Sequence, residues 1–344
     1  MRIDPANTDE VAAALRAYVA GHLGVADACL AERPERIGHG FDTYIYSFRL
    51  ESQALAAGWE RPLVLRLYAG EGDGAKAERE AAVQRFVTSR GYPALEPLAV
   101  ETHASGFGLP LMIMERAPGV PMLERLGLNP RAVRRQFAAM ADLHAALHRM
   151  PVEGCPLVSD EPLVERRLAE FRERLQHIDN DELQRGMRWL EQRKQTAVVE
   201  EPSVCHNDFH PLNILVADDG RMTVLDWSDA AVGDRLHDVA RTLALFRFAW
   251  IAAESSLERI VLRLARGFLA GSYLGPYRRQ LPFDEERLRY WLALQTFSAW
   301  LQLEELSAID DLAAEGVRAD SVQRLPTGLR AQLRQYFQTF TKAS

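Results

Sequence analysis

Asp208, Asn213 and Asp226 are oxygen-bearing side chains within one short segment, Val204 to Asp238, and their spacing suits a hard cation with a proton acceptor beside it. Asn213 to Val216 reads as a strand, Asp219-Gly220 as a two-residue hairpin turn, and Met222 to Asp226 as the return strand. With Asp218 and Arg221 flanking that turn, antiparallel pairing sets Asn213 opposite Asp226. Opposed side chains have Cβ atoms about 5 Å apart, so an amide oxygen and a carboxylate there can ligate one divalent ion. Mg²⁺ carrying nucleotide phosphates fits such a pair. Asp208, five residues before Asn213, falls in the preceding loop, placed to accept a proton from a substrate hydroxyl during phosphoryl transfer. A second chemistry is open at the same place: His206, Asp208 and His210 alternate and can reach one metal ion of a hydrolase. That reading leaves the Asn213 and Asp226 hairpin without a role.

The elements that must position these groups change character along the chain. Residues 8 to 23 carry Val11, Leu15, Tyr18, Val19 and Leu23 at helical spacing, and Gly24 stops the pattern. Strands are expected at Tyr44 to Leu50, Pro62 to Tyr68 and Leu109 to Met114, with a helix from Ala75 to Arg90 between the last two. After Glu115 to Pro118 long helical patterns take over, from Arg131 to Met150, Pro162 to Ala197, and again beyond residue 235. Trp291, Leu294, Phe297, Leu301 and Leu303 mark an apolar helical face there. The change places a boundary that divides the chain into 1–115 and 116–344.

Set in that frame, His206-Asn207-Asp208, Asn213-Ile214-Leu215 and Leu225-Asp226-Trp227 resemble the catalytic loop and metal-binding strand end of the protein-kinase-like superfamily. The closer similarity is to the aminoglycoside phosphotransferase and choline kinase branch, since protein kinases carry Asp-Phe-Gly where this chain has Asp226-Trp227-Ser228. The resemblance implies an α+β, two-lobed fold: a small N-terminal nucleotide-binding lobe with an antiparallel sheet and a larger, mostly helical C-terminal lobe holding catalytic loop and substrate site. It implies Asp208 as catalytic base, Asn213 and Asp226 as Mg²⁺ ligands, and His206 as a brace of the loop. Gly233-Asp234 and Asp238-Val239-Ala240 match a further family segment whose second acid, here Asp238, supports the loop by hydrogen bonds.

The first lobe matches more loosely. Gly38 and Gly40 stand where a nucleotide-covering turn belongs, although ordinary turn glycines look the same. Arg66 occupies the strand position of a phosphate-contacting Lys, a substitution that keeps the charge and changes the geometry. Its implied partner is Glu80 of Ala77-Glu78-Arg79-Glu80, with Glu78 pointing elsewhere; the alternative is a solvent-facing Arg66. Met114 closes the strand whose backbone meets the adenine in the family. ATP is the implied cosubstrate, with GTP also compatible. The implied activity is transfer of the γ-phosphoryl group to a hydroxyl of an aminoglycoside-, choline- or homoserine-like small molecule. A catalytically silent nucleotide-binding scaffold and a protein kinase are the rival readings.

Bulk properties narrow the classes. The 344 residues are long enough for two lobes, and 47% hydrophobic with 26% charged residues is globular composition. A net charge of -7 argues against a nucleic-acid partner. Three scattered cysteines, no apolar run of spanning length and no signal-like start point to a cytoplasmic protein with no membrane association. His144 and His148, four apart on a helix, lack the Glu of a zinc motif and are expected to pack or cap. Trp227 is open between a stacking and a packing role. Glu304, Glu305, Asp310 and Asp311 form an acidic cluster that either holds a cationic substrate or faces solvent.

Overall fold

The computed structural model describes residues 2–24, 29–39, 43–52, 55–70, 73–102, 106–127, 129–199, 201–248, 256–308 and 328–342. Gly40, Asp310 and Asp311 lie outside the described residues. No helix among the described residues is long and apolar enough to cross a membrane.

The chain divides into two compact units, neither of them continuous in sequence. The first comprises Met1–Arg125, Gly154–Leu157 and Pro211–Ala230. It opens with α1 (Thr8–Leu23), whose start is fixed by Asn7: its side chain accepts from the backbone of Asp9 and Glu10, and Gly24 ends the helix at φ 62. Five strands follow in an antiparallel sheet of order β1-β2-β3-β5-β4: β1 (Cys29–His39), β2 (Thr43–Glu51), β3 (Leu63–Tyr68), β4 (Pro97–Glu101) and β5 (Leu111–Glu115). Between β3 and β4 runs α2 (Asp73–Ser89). One face of the sheet closes on Val11, Leu15, Tyr18 and Val19 of α1 through Tyr46, Phe48, Leu65, Leu67 and Ile113. The other carries Tyr68, Met112 and Met114 against Ala77 and Ala81 of α2. Alternation along β3 thus points Arg66 to the α2 side with Tyr68.

A three-stranded ribbon completes this unit: β6 (Val120–Pro121), β8 (Ile214–Val216) and β9 (Met222–Val224), in the order β6-β8-β9. Gly119 leads into it at φ 108, and a Cβ there would stand 2.4 Å from the carbonyl oxygen of Val216.

The second unit comprises Leu126–Glu153, Val158–His210 and Ala231–Ser344. Its helices are α3 (Pro130–His148), α4 (Leu163–Leu175), α5 (Asp181–Arg193), α6 (Arg235–Phe248), α7 (Ser256–Gln280), α8 (Glu285–Ala308) and α9 (Leu329–Thr341). A short antiparallel pair, β7 (Ser203–Cys205) and β10 (Ala231–Gly233), brackets the loop that begins at His206. The core gathers Phe137, Leu147, Leu168, Phe171, Trp291, Leu294, Phe297 and Phe337. Of the helical face expected from Trp291, Leu294, Phe297, Leu301 and Leu303, the first four are buried and Leu303 is half-buried.

Replacing Gly119 by Ala combines a left-handed backbone with a backbone clash and is expected to cost about 3 kcal/mol. Gly220, at φ 85 with open space where a methyl group would go, is expected to cost only about 1 kcal/mol as Ala. Urea denaturation of the two variants checks the order.

Candidate active site

Glu80 is the hub of the first unit. It lies on the buried face of α2 at 1% exposure, and Arg66 of β3 at 7%, with Arg66 Nη1 donating to Glu80 Oε1. The Tyr68 hydroxyl donates to Glu80 Oε2 at 3.0 Å, and the backbone N–H of Trp227 donates to the same carboxylate. Burial pushes the Glu80 carboxyl up, and the Arg66 guanidinium opposes it. Desolvation works against the Arg66 charge, but Glu80, Tyr68 and Asp226 outweigh it and hold that side chain protonated. The other terminal nitrogen, Nη2, lies 3.6 Å from Asp226 Oδ1. Arg66 therefore touches two of the expected site residues, and Glu78 is exposed.

The hairpin carrying Asn213 and Asp226 is one residue out of the expected register. Ile214 pairs with Val224, Leu215 with Thr223 and Val216 with Met222, so Asn213 takes Leu225 as its partner, whose N–H donates to the Asn213 carbonyl at 2.8 Å. A two-residue turn of the expected kind needs positive φ at both central residues, and of Asp219 and Gly220 only Gly220 has it, at φ 85. Asp219 instead accepts from the Arg221 N–H at 3.0 Å and pairs with its guanidinium, and Ala217 closes on Arg221, leaving Asp218, Asp219 and Gly220 in the loop. A slip of one would send Asp226 to the opposite face of a regular strand. The strand ends first: Asp226 turns to φ 60, and its Oδ1 accepts from Ser228 Oγ at 2.9 Å. Its side chain is 42% exposed, which leaves the carboxylate reachable by a ligand. An amide and a carboxylate oxygen on adjoining backbone form a hard donor set of the kind Mg²⁺ takes.

Trp227 is buried, donates from Nε1 to the Val224 carbonyl at 3.3 Å, and meets Tyr92 edge-on, a packing role. Arg79 of α2 holds the following turn by donating to the carbonyls of Ser228 and Ala230. Met114 is buried in β5 opposite Val64, and Gly38 sits within β1 opposite Ile45 rather than in a turn. The strand extends past the glycine because the pairing shifts register between Arg36 and Gly38 and then continues to His39.

Asp208 belongs to the second unit. Its loop is fixed by Asp238 of α6, fully buried, whose Oδ2 accepts from the His206 N–H at 2.5 Å and whose Oδ1 accepts from the Asn207 N–H at 2.9 Å. Asn207 takes φ 63, and its side-chain oxygen meets His237 Nδ1 at 2.8 Å. His206 is buried, accepts on Nδ1 from the Asp208 N–H at 3.3 Å and packs edge-on against Phe209, so it shapes the loop. Phe209 in turn is anchored by the Thr242 hydroxyl, which donates to its carbonyl at 2.8 Å.

The Asp208 carboxylate faces His210 Nε2 at 3.2 Å and Arg241 Nη2 at 3.4 Å. Burial pushes its carboxyl up, but the hydrogen bond and charge of His210 and the charges of Arg241 and His206 prevail and hold it at about 2. Asp208 is therefore ionised throughout the neutral range. Arg241, Tyr68 and Arg79 were missed by sequence reasoning; Arg241 carries one weak signal, lying one helical turn beyond His237 in the segment already singled out around Asp238.

Among the described residues, the group of three or more His, Cys, Asp or Glu side chains whose ligand atoms converge within 4.8 Å is His144, His148 and Asp238, not His206, Asp208 and His210. The acidic pair Glu304 and Glu305 is engaged: Arg174 takes Glu305 with two nitrogens at 2.8 and 2.7 Å, and Trp300 Nε1 and Arg330 Nε approach Glu304 at 3.1 and 3.3 Å.

The family model described as a phosphotransferase enzyme family matches residues 33–291. An aminoglycoside 3'-phosphotransferase of Streptomyces fradiae is 35% identical over 166 residues, 43% of this chain and 60% of that relative's length. Among solved structures, a thermostable aminoglycoside phosphotransferase APH(4)-Ia with AMP-PNP and hygromycin B aligns over 96% of this chain and 98% of its own, at TM-score 0.65 and 17% identity. The amicoumacin kinase hAmiN, solved with AMP-PNP, Ca²⁺ and Ami, aligns over 90% and 92% at TM-score 0.59 and 16% identity. The α+β, kinase-like fold is thus shared with both.

Removing one member of the buried Arg66 and Glu80 pair strands a charge, so Glu80→Ala is expected to destabilise by about 3 to 5 kcal/mol in urea, and the Arg66→Met, Glu80→Met double variant by less than the sum of its singles. For Asp208 the folded pKa lies below the unfolded value of about 3.9, so its contribution to stability is present above roughly pH 4 and is lost as pH falls from there toward 2. Carboxyl NMR of Asp208 is expected to titrate near 2 in the wild type and closer to the ordinary range in Arg241→Ala.

Proposed function

Because the chain belongs to the phosphotransferase enzyme family, we propose that it is a Mg-ATP-dependent small-molecule kinase that moves the γ-phosphoryl group to a hydroxyl of an aminoglycoside-, choline- or homoserine-like acceptor. The observation that carries the reading is Asp208: an ionised carboxylate on a loop whose backbone is held by a buried acid, in the pattern His-x-Asp-x-x-x-x-Asn. In this reading Asp208 orients the acceptor hydroxyl and takes its proton as the bond to phosphorus forms, a role commonly worth a factor of about 10² to 10⁴. A low pKa suits that role because the carboxylate never needs to lose a proton first, and transfer is late, when the hydroxyl oxygen is already bonding to phosphorus.

Asn213 and Asp226 are the residues that would hold Mg²⁺. The ion, when bound, supplies positive charge to the nucleotide phosphates and the leaving oxygen. Arg66 adds a fixed cation on the same side of β3, held in place by Glu80 and Tyr68. Its planar fork lets one nitrogen stay on Glu80 while another approaches Asp226, something a lysine ammonium does less readily. Met114 supplies strand backbone for the base, with ATP favoured and GTP compatible. Residues 1–115 then form the nucleotide-binding part and 116–344 the part with catalytic loop and acceptor site, working as a soluble cytoplasmic enzyme. AMP-PNP in the solved relatives supports the nucleotide assignment.

Calorimetric titration with Mg-AMP-PNP tests the division of labour. Asp208→Asn is expected to bind as the wild type does while ADP release in an acceptor panel drops at least about 100-fold. Asp226→Asn and Asn213→Ala are expected to lose the magnesium dependence of binding. Undiminished ADP release by Asp208→Asn rejects the role.

A further inference from the structure

Asp238 is approached by two more groups besides the loop amides. His144 and His148 lie one turn apart on α3, both buried, with Nε2 atoms 3.0 and 3.3 Å from Asp238 Oδ2. Their Nδ1 atoms face Tyr273 and Tyr277 hydroxyls of α7 at 2.6 and 2.7 Å. The spacing is four residues on both helices, so each histidine meets its own tyrosine in the packed pair of α3 and α7. All four rings are buried.

Hydrogen-bond logic sets the protonation of the whole cluster. Asp238 is held well below the ordinary carboxylate range, burial being outweighed by His144 and His148, so it is an anion without a Lys or Arg on its oxygens. An anion accepts only, and each imidazole must therefore present Nε2–H to it. On a neutral ring Nδ1 is then an acceptor, and the tyrosine hydroxyl must be the donor. Protonating both rings is disfavoured: their centroids stand 4.2 Å apart, and burial and His144 push His148 down to about 3. His148 stays neutral, and the Tyr277 hydroxyl selects its tautomer.

Resting on the kinase reading of Asp208, we propose that Tyr273, Tyr277, His144 and His148 are positioning residues, a double Tyr-His relay that fixes the Asp238 carboxylate and through it the loop that carries Asp208. With Oδ2 hydrogen-bonded to His148 and His144 Nε2 standing 3.0 Å from it, rotation of the carboxylate away from the His206 and Asn207 amides is opposed. His144 also stacks on Phe209, ring centroids 4.0 Å apart, so the relay touches the loop twice. Three ligand atoms within 4.8 Å equally describe a zinc site. The relay is favoured because Asp238 Oδ2 already accepts a backbone N–H, His148 Nε2 is hydrogen-bonded to the same oxygen, and both Nδ1 atoms have hydroxyl partners.

The experiment is long-range ¹H–¹⁵N NMR of the imidazoles at pH 7, with amide exchange at His206 and Asn207, on the full chain and its Tyr273→Phe, Tyr277→Phe double variant. Both histidines are expected as the Nε2–H tautomer in the wild type. In the double variant the tautomers mix, loop amide exchange rises on the order of tenfold for the two hydroxyls lost, and kcat for ADP release from Mg-ATP falls by a similar factor with KM for ATP unchanged. If the double variant fails to fold, the Tyr273→Phe single variant gives the same readouts for His144 alone. Unchanged tautomers and exchange, or one zinc per chain by metal analysis, overturn the relay while Asp208→Asn remains inactive. Full turnover by Asp208→Asn instead removes the kinase reading and leaves the NMR test of the relay standing.

Discussion

An ionised carboxylate far from water is tolerable only when donors meet it, and Asp238 meets that condition with two backbone amides and the His148 imidazole, with His144 Nε2 3.0 Å away, rather than with a Lys or Arg. Amides are fixed in direction by the chain, so satisfying the anion also fixes the conformation of His206 and Asn207, including the left-handed turn at Asn207. That turn leads directly into Asp208. The stability of the buried acid and the placement of the Asp208 carboxylate are thus a single constraint, and a chain that lost one would lose the other.

The first unit repeats the device with Glu80. One buried carboxylate collects the Arg66 guanidinium, the Tyr68 hydroxyl and the Trp227 amide, and so joins β3, α2 and the residue after Asp226. The consequence differs because one donor here is a charge with a second hand free to reach Asp226. Asp238 sets backbone geometry, whereas Glu80 aims a cation.

Much of this was legible in the sequence where the physics is local. The helix of residues 8 to 23 was marked by its apolar period and by Gly24, and the chemistry-bearing segment by residue types that have few other uses together. The unrecognised strands explain themselves. In β1 only Pro34 is buried among Glu32, Arg33, Glu35 and Arg36, and repeated register shifts erase any alternation; β4 is five residues beginning at a proline. The hairpin slipped by one because Asp219 chose a side-chain contact to Arg221 over the positive φ that a tighter turn demands. Tyr68, Arg79, Arg241, Tyr273 and Tyr277 act across distances in the chain of 12 to 151 residues, and nothing in their own neighbourhoods announces it.

The phosphate itself gives the most direct measurement of the central claim. Phosphorus NMR of Mg-ATP incubated with the chain and a panel of aminoglycosides, macrolides, choline and homoserine is expected to show ADP and a new phosphomonoester resonance with at least one acceptor, absent with Asp208→Asn. ATP that stays intact with every hydroxylated acceptor, or a phosphomonoester formed equally well by Asp208→Asn, would contradict the account.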